Sequence, residues 1–231
     1  MKIGGFQKFS MIDFPGHVSA IVFTRGCMYR CRFCHNPELV DSKQYTELID
    51  ENEILEFLEN RMHKLDGVVI TGGEPLLHND ISEFLFKVRN MGYRIKLGTS
   101  GYFPEKLQTL LESGLVDYVA MDVKAPLEDY GNITRVKVIN NSSRISKSID
   151  ILMNSKIDYE FRTTIVNNLL NESGIMRIVK LIKGSKRYVL QKFRSIKVLD
   201  EAMKNETAPS DLELLQIRKM IESNFEEVLI R

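Results

Sequence analysis

Runs of β-branched and aromatic residues alternate with amphipathic stretches along almost the whole 231-residue chain. The segments VSAIVFT (18–24), GVVIT (67–71), YRIKLGT (93–99), YVAMDVK (118–124), YEFRTTIV (159–166) and RYVLQKF (187–193) are short and largely apolar, which predicts strands buried in a sheet. Between the first two, residues 47–64 place Ile54, Leu55, Leu58 and Met62 at helical spacing. Further helices are expected over 79–91, 104–114, 146–155, 173–183 and 210–223. Asp80 and Pro104 stand at helix starts, and Gly92 and Gly114 at helix stops. EEVLIR, at the end of the chain, is a candidate last strand.

Strands that alternate with helices imply right-handed crossovers and a parallel sheet. Six such units are too few for a closed eight-stranded barrel. The expected class is α/β: a partial (β/α)6 TIM-like barrel with mainly parallel strands, or else a doubly wound sheet. In both, working residues lie just beyond the carboxyl ends of the strands. One domain over 1–231 is expected, with a C-terminal helical segment at 209–224. The polar stretch 125–144 reads as a lid or partner-contact loop rather than a core element.

Composition narrows the class without naming a chemistry. Hydrophobic residues at 43% and charged residues at 27% are ordinary globular values. Lys plus Arg (32) nearly balances Asp plus Glu (31), so no global field favours nucleic acid or an anionic membrane. The amino-terminal stretch lacks a signal-peptide pattern and no apolar run reaches membrane-span length, so a cytoplasmic protein is expected.

The chemistry enters with cysteine. The chain has three, Cys27, Cys31 and Cys34, all in a loop at 25–38 that follows the first predicted strand. Three thiols cannot pair off, and clustered thiols in a reducing compartment read as metal-binding or catalytic. They could share one helix face, or join His35 in a Cys3His zinc site. The third reading is an iron–sulfur cluster, in which each thiolate holds one iron and three thiolates leave a fourth iron open. A second motif, Gly72-Gly73-Glu74-Pro75, follows the second strand, where glycines bare the backbone and a carboxylate can accept from an ammonium group. Alone it is an ordinary turn. GTSG (98–101) follows the third strand, Asp122 and Lys124 end the fourth, Arg162 lies on the fifth and Gln191 on the sixth.

The C-x3-C-x2-C spacing, with aromatic Phe33 before the last cysteine, resembles the radical S-adenosylmethionine (SAM) superfamily. The longer segment GGFQKFSMIDFPGHVSAIVFTRGCMYRCRFCHNPEL resembles the activating proteins of anaerobic ribonucleoside-triphosphate reductase, and more weakly the pyruvate formate-lyase activases. That resemblance implies a [4Fe–4S] cluster on Cys27, Cys31 and Cys34 and an open iron that binds SAM. It implies reductive cleavage of SAM to methionine and a 5′-deoxyadenosyl radical, and formation of a glycyl radical on a partner enzyme. Gly72, Gly73 and Glu74 would hold the SAM amino group, Lys124 its carboxylate and Asp122 the ribose or a cation, with Phe33, Thr99, Ser100, Arg162 and Gln191 lining the cofactor. The implied partners are a glycyl radical enzyme, anaerobic ribonucleotide reductase first, and a low-potential electron donor such as flavodoxin or ferredoxin. Two departures from the pyruvate formate-lyase type stand out: Gly98 replaces an Asp, and Phe193 replaces a His. Alternatives are an activase of that type, radical SAM chemistry on a small molecule such as a deazapurine-type ring contraction, and a zinc-stabilised binding module.

Overall fold

The structure is a computed structural model of the chain that describes residues 1–135 and 141–231. Eight strands run in one sheet in chain order: β1 (Ile3–Phe14), β2 (His17–Thr24), β3 (Gly67–Gly72), β4 (Arg94–Thr99), β5 (Tyr118–Asp122), β6 (Asp158–Ile165), β7 (Arg187–Lys192) and β8 (Glu227–Ile230). The pairs β2–β3, β3–β4, β6–β7 and β7–β8 are parallel, and β1 pairs antiparallel with β2. Chain order in a parallel sheet requires a crossover after each strand, which the intervening helices supply.

The six expected strands are β2 to β7, and the candidate last strand is β8. The sheet is thus two strands larger than the six units predicted. β1 was not expected: its exposed positions Phe9, Met11 and Ile12 do not alternate with a buried set, and its ladder shifts register between Gln7 and Ser10 and again before Phe14. A shifted ladder erases the two-residue period by which a strand is read. Pro15 and Gly16 close the β1–β2 hairpin, with Gly16 at φ +74°, as a turn of this kind requires at its second position.

The chain divides into two compact units. The first comprises residues 1–28, 38–99 and 105–119, and the second 29–37, 100–104 and 120–231, so that β5 contributes to both. In the first unit, Val68, Ile70, Ile95 and Leu97 of the sheet are wholly buried, as are Ile54 and Leu58 of α2 (Glu51–Glu59) and Phe84, Leu85 and Val88 of α3 (Ile81–Asn90). Ile54 and Leu58 are four apart, and Val88 stands four residues from Phe84 and three from Leu85, so each helix buries one face. A four-residue turn, α1 (Pro37–Val40), precedes them and α4 (Pro104–Glu112) follows. Asp80 stands at the N-cap of α3 but makes no capping bond with its side chain.

In the second unit, Phe161, Tyr188, Val189 and Leu190 of the sheet are wholly buried, and Ile145, Ile149 and Leu152 of α6 (Asn141–Met153) and Ile175, Ile178 and Ile182 of α7 (Glu172–Ile182) are buried too. The helix α8 (Asp211–Ile221) starts at a complete capping box, in which Ser210 and Glu213 satisfy each other's backbone N–H. Part of the stretch 125–144 is not loop: α5 (Tyr130–Thr134) buries Tyr130, Ile133 and Thr134, and α6 begins five residues before the predicted 146. Polar NNSSR carries no apolar period, so that helix start was illegible. Residues 136–140 of the expected lid lie outside the described residues. Among the described residues no helix is long and apolar enough to cross a membrane.

Candidate functional site

In the first unit the loops after β2 and β3 are locked together through their backbones. Gly73 N–H donates to Thr24 O at 2.8 Å and Glu74 N–H to Gly26 O at 2.8 Å, while Gly26 N–H donates to Leu39 O at 2.7 Å. Gly72 has φ +110°, and a Cβ built on Gly73 would sit 2.1 Å from Gly26 O. Only a residue without a side chain permits that approach. Glu74 is fully buried, and its Oε1 accepts from Thr99 Oγ1 at 2.8 Å and from Leu76 N–H at 3.1 Å. The carboxylate therefore ties the turn after β3 to the end of β4 and caps the 3-10 turn Pro75–Leu77. Sequence reasoning named Glu74 and Thr99 separately and did not foresee this bond.

In the second unit Cys31 and Phe33 are buried and Cys34 is half-buried. Burial pushes the Cys31 thiol up to about 11, against the opposing pull of the Lys124 charge. Asp122, at the end of β5, receives Arg162 Nε and Nη2 on one oxygen at 2.8 Å and Lys124 Nζ on the other at 3.2 Å. Burial alone would raise this carboxyl, but the two cations and their hydrogen bonds outweigh it and hold it below the usual carboxylate range. Tyr130 Oη accepts from Lys124 N–H at 3.1 Å, and burial pushes the phenol upward. Ser100 is buried, and Gln191 lies on β7 opposite Thr164 without a side-chain hydrogen bond among the described residues.

The segment after β7 braces the cysteine loop, a role sequence reasoning missed. Leu199 N–H donates to Cys34 O at 3.0 Å and Asp200 N–H to Arg32 O at 3.1 Å. The Asp200 carboxylate also pairs with Arg32 at 2.9 Å and Arg135 at 2.7 Å, and these guanidinium contacts keep its pKa low. In sequence, Asp200 is indistinguishable from the ordinary cap it also provides to the turn 201–205. His35 stacks on Phe193 with ring centroids 5.6 Å apart and engages Arg194 O through Nε2 at 2.9 Å.

His35, the fourth donor of a Cys3His zinc site, is stacked on Phe193 with its Nε2 at the Arg194 carbonyl. An iron–sulfur cluster spreads its thiolates over separate irons, so a donor set of three thiols at this spacing fits it.

A mainly parallel sheet with helical crossovers, and candidate residues just beyond the carboxyl ends of its strands, marks the α/β class. The superfamily described as radical SAM matches residues 21–182, and the chain belongs to it, within its group of glycyl-radical enzyme activating enzymes. A protein of Methanocaldococcus jannaschii named for glycyl-radical enzyme activation is 31% identical over 99% of this chain and 95% of its own length. The pyruvate formate-lyase-activating enzyme of Listeria monocytogenes is 31% identical over 53% of each. Among solved structures, that of TYW1 with a lysine–pyruvate adduct superposes with a TM-score of 0.65 over 90% of this chain and 74% of that one, at 16% identity. Streptococcus suis SuiB bound to its precursor peptide SuiA superposes with a TM-score of 0.68 over 91% and 48%, at 13% identity. The fold is accordingly the partial TIM-like barrel. The protein is a radical SAM enzyme of the glycyl-radical-activating type, with a [4Fe–4S] cluster and SAM as its cofactors.

Proposed function

We propose that the enzyme generates the glycyl radical of anaerobic ribonucleoside-triphosphate reductase. The observation that carries this reading is position 98. A pyruvate formate-lyase type activase has a carboxylate there, whereas a Cβ on Gly98 would meet Thr71 Oγ1 at 2.7 Å. A side chain here would have to push the Thr71 hydroxyl aside, and the glycine itself supplies no carboxylate for that cation.

In this reading Cys27, Cys31 and Cys34 would hold the cluster, which would supply the electron for reductive SAM cleavage and so for hydrogen-atom removal from a backbone glycine of the reductase. Gly72 and Gly73 present backbone at the end of β3, while Glu74 and Thr99 stiffen that turn. Lys124 supplies positive charge for the SAM carboxylate, and Asp122, oriented by Arg162, is an acceptor for the ribose hydroxyls. Phe33, Ser100 and Gln191 are assigned to the walls around SAM. Electrons come from a flavodoxin- or ferredoxin-type donor.

The test is reduced enzyme with SAM and purified reductase, read by electron paramagnetic resonance. A glycyl radical on the reductase, absent when a pyruvate formate-lyase type enzyme is substituted, is expected. Turnover of a small molecule with no protein partner, or near-normal SAM cleavage by Cys34→Ala, overturns the reading.

A further inference from the structure

In the first unit, the amino-terminal ends of β3 and β4 carry a cavity at the opposite end of these strands from Glu74 and Thr99. Its volume is about 480 Å3, within the range of small-molecule sites. It is lined by the end of the β1–β2 hairpin, by the loop 63–66 that leads into β3, and by residues 91–94 at the start of β4.

Three nitrogen-bearing side chains line it: His17, His63 and Arg94. Arg94 and His63 have no side-chain hydrogen bond or ion pair among the described residues. His17 uses only Nδ1, held 2.7 Å from Pro15 O, with its ring tilted against Phe14. A nitrogen facing a carbonyl carries the proton, so Nε2 of neutral His17 is an acceptor, and becomes a donor when the ring is charged. The lining holds one carboxylate, the exposed Asp66, whose Oδ2 accepts from Val18 N–H at 2.8 Å, and the ligand is held by the three nitrogen-bearing side chains against its charge. His63 adopts φ +63°, a left-handed conformation that residues with a Cβ disfavour, and the turn so formed puts an imidazole at the rim where glycine would put nothing.

A metal ion is a poor match. Arg94 repels it, and no three His, Cys, Asp or Glu side chains among the described residues converge on one point. A phosphoryl group suits the set. Its oxygens accept from the guanidinium fork in pairs, and its own P–OH can donate to Nε2 of neutral His17. Leu65 and Tyr93 add apolar wall beside these nitrogens, and the volume exceeds that of a lone tetrahedral anion. We propose that this cavity binds a small phosphate-bearing molecule, through Arg94, His63 and His17, at a site separate from the SAM chemistry.

Titration calorimetry of the cluster-loaded enzyme with inorganic phosphate in low-chloride buffer tests this, supported by melting temperature against phosphate concentration. Two variants preserve the fold by construction. Arg94 is exposed at a strand start, so Arg94→Gln disturbs no packing, and His63→Gly places glycine at a positive φ that glycine accepts. Phosphate is expected to bind and to raise the melting temperature. Arg94→Gln should weaken binding about tenfold or more, as loss of a paired guanidinium contact does, and His63→Gly should weaken it about threefold or more. SAM cleavage measured without phosphate should match the parent enzyme in both variants, so a failed activase assignment and a failed anion site are separable. Absence of heat and of a melting shift up to ~10 mM phosphate overturns the proposal, since a useful metabolite site binds below that concentration. Binding unchanged in both variants also overturns it.

Discussion

Gly73→Ala probes the backbone lock between the loops after β2 and β3. Its Cβ would lie 2.1 Å from Gly26 O, 2.8 Å from Gly26 C and 3.2 Å from Gly26 N, all backbone atoms that no rotamer change can move. Ordinary contact needs the loops to part by roughly 1 Å, and the bonds Glu74 N–H to Gly26 O and Gly73 N–H to Thr24 O then stretch or break. Overpacking of this kind costs ~1–3 kcal/mol and each lost hydrogen bond ~1 kcal/mol, giving ~2–5 kcal/mol in all. Because Gly26 precedes Cys27, the same displacement moves one of the three proposed cluster ligands. Urea unfolding of the cluster-free protein measures the first effect, and iron and acid-labile sulfide per chain after anaerobic reconstitution measure the second. Gly131→Ala is the contrast: its Cβ meets nothing within 4 Å and it lies in α5, so that change should be neutral or stabilise by ~0.5–1 kcal/mol. A Gly73→Ala protein within ~0.5 kcal/mol of the parent and with full cluster content would refute the lock, since that is the scatter of ordinary surface substitutions.

Three further outcomes follow from the second unit. The Cys31 thiol, at 9.0 when exposed and about 11 when folded, keeps its proton in the native state while the unfolded chain loses it. Its contribution is therefore complete below pH 9 and lost as pH rises toward 11. Unfolding midpoints of the cluster-free protein should fall more steeply over that alkaline range than those of Cys31→Ala, and parallel curves would contradict the burial. Arg162→Gln leaves the half-buried Asp122 with Lys124 alone. The carboxyl, now held low, should titrate higher, so stability present above the ordinary carboxylate range should fade at a higher pH on acidification, with weaker SAM binding; an unchanged acid limb and unchanged SAM affinity would dismiss the pairing. Asp200→Ala removes the carboxylate shared by Arg32 and Arg135. These pairs are partly exposed, so stability should drop by no more than ~1 kcal/mol, while iron release to a chelator from the reconstituted protein should accelerate. Unaltered iron release would show that the brace does not reach the cysteine loop.

The strands β2 to β7 were legible because each is a short apolar run whose burial on both faces is written in consecutive residues. β1 was not, since its shifted ladder and exposed Phe9, Met11 and Ile12 break the alternation that marks an edge strand. The start of α6 was hidden for a related reason: Asn141 to Arg144 carry no apolar spacing, and the turn is held by tertiary contacts such as Ser142 Oγ to Leu127 O at 2.8 Å. At the site, the thiol spacing and the glycine pair stood in the sequence as motifs. The Glu74–Thr99 bond joins residues 25 apart and the Arg32–Asp200 pair residues 168 apart, and no local pattern announces either.

Sequence alone thus determined the α/β class, the three-thiol donor set and the order of the motifs after successive strands, because periodicity and spacing depend on residues within one or two turns of each other. Only the tertiary structure decided what Glu74 is bonded to, which cations hold Asp122, that position 98 abuts the Thr71 hydroxyl, and that His17, His63 and Arg94 share one cavity. Those outcomes depend on which distant backbones the packed sheet brings within about 3 Å, the distance at which hydrogen bonds form and an added methyl group no longer fits.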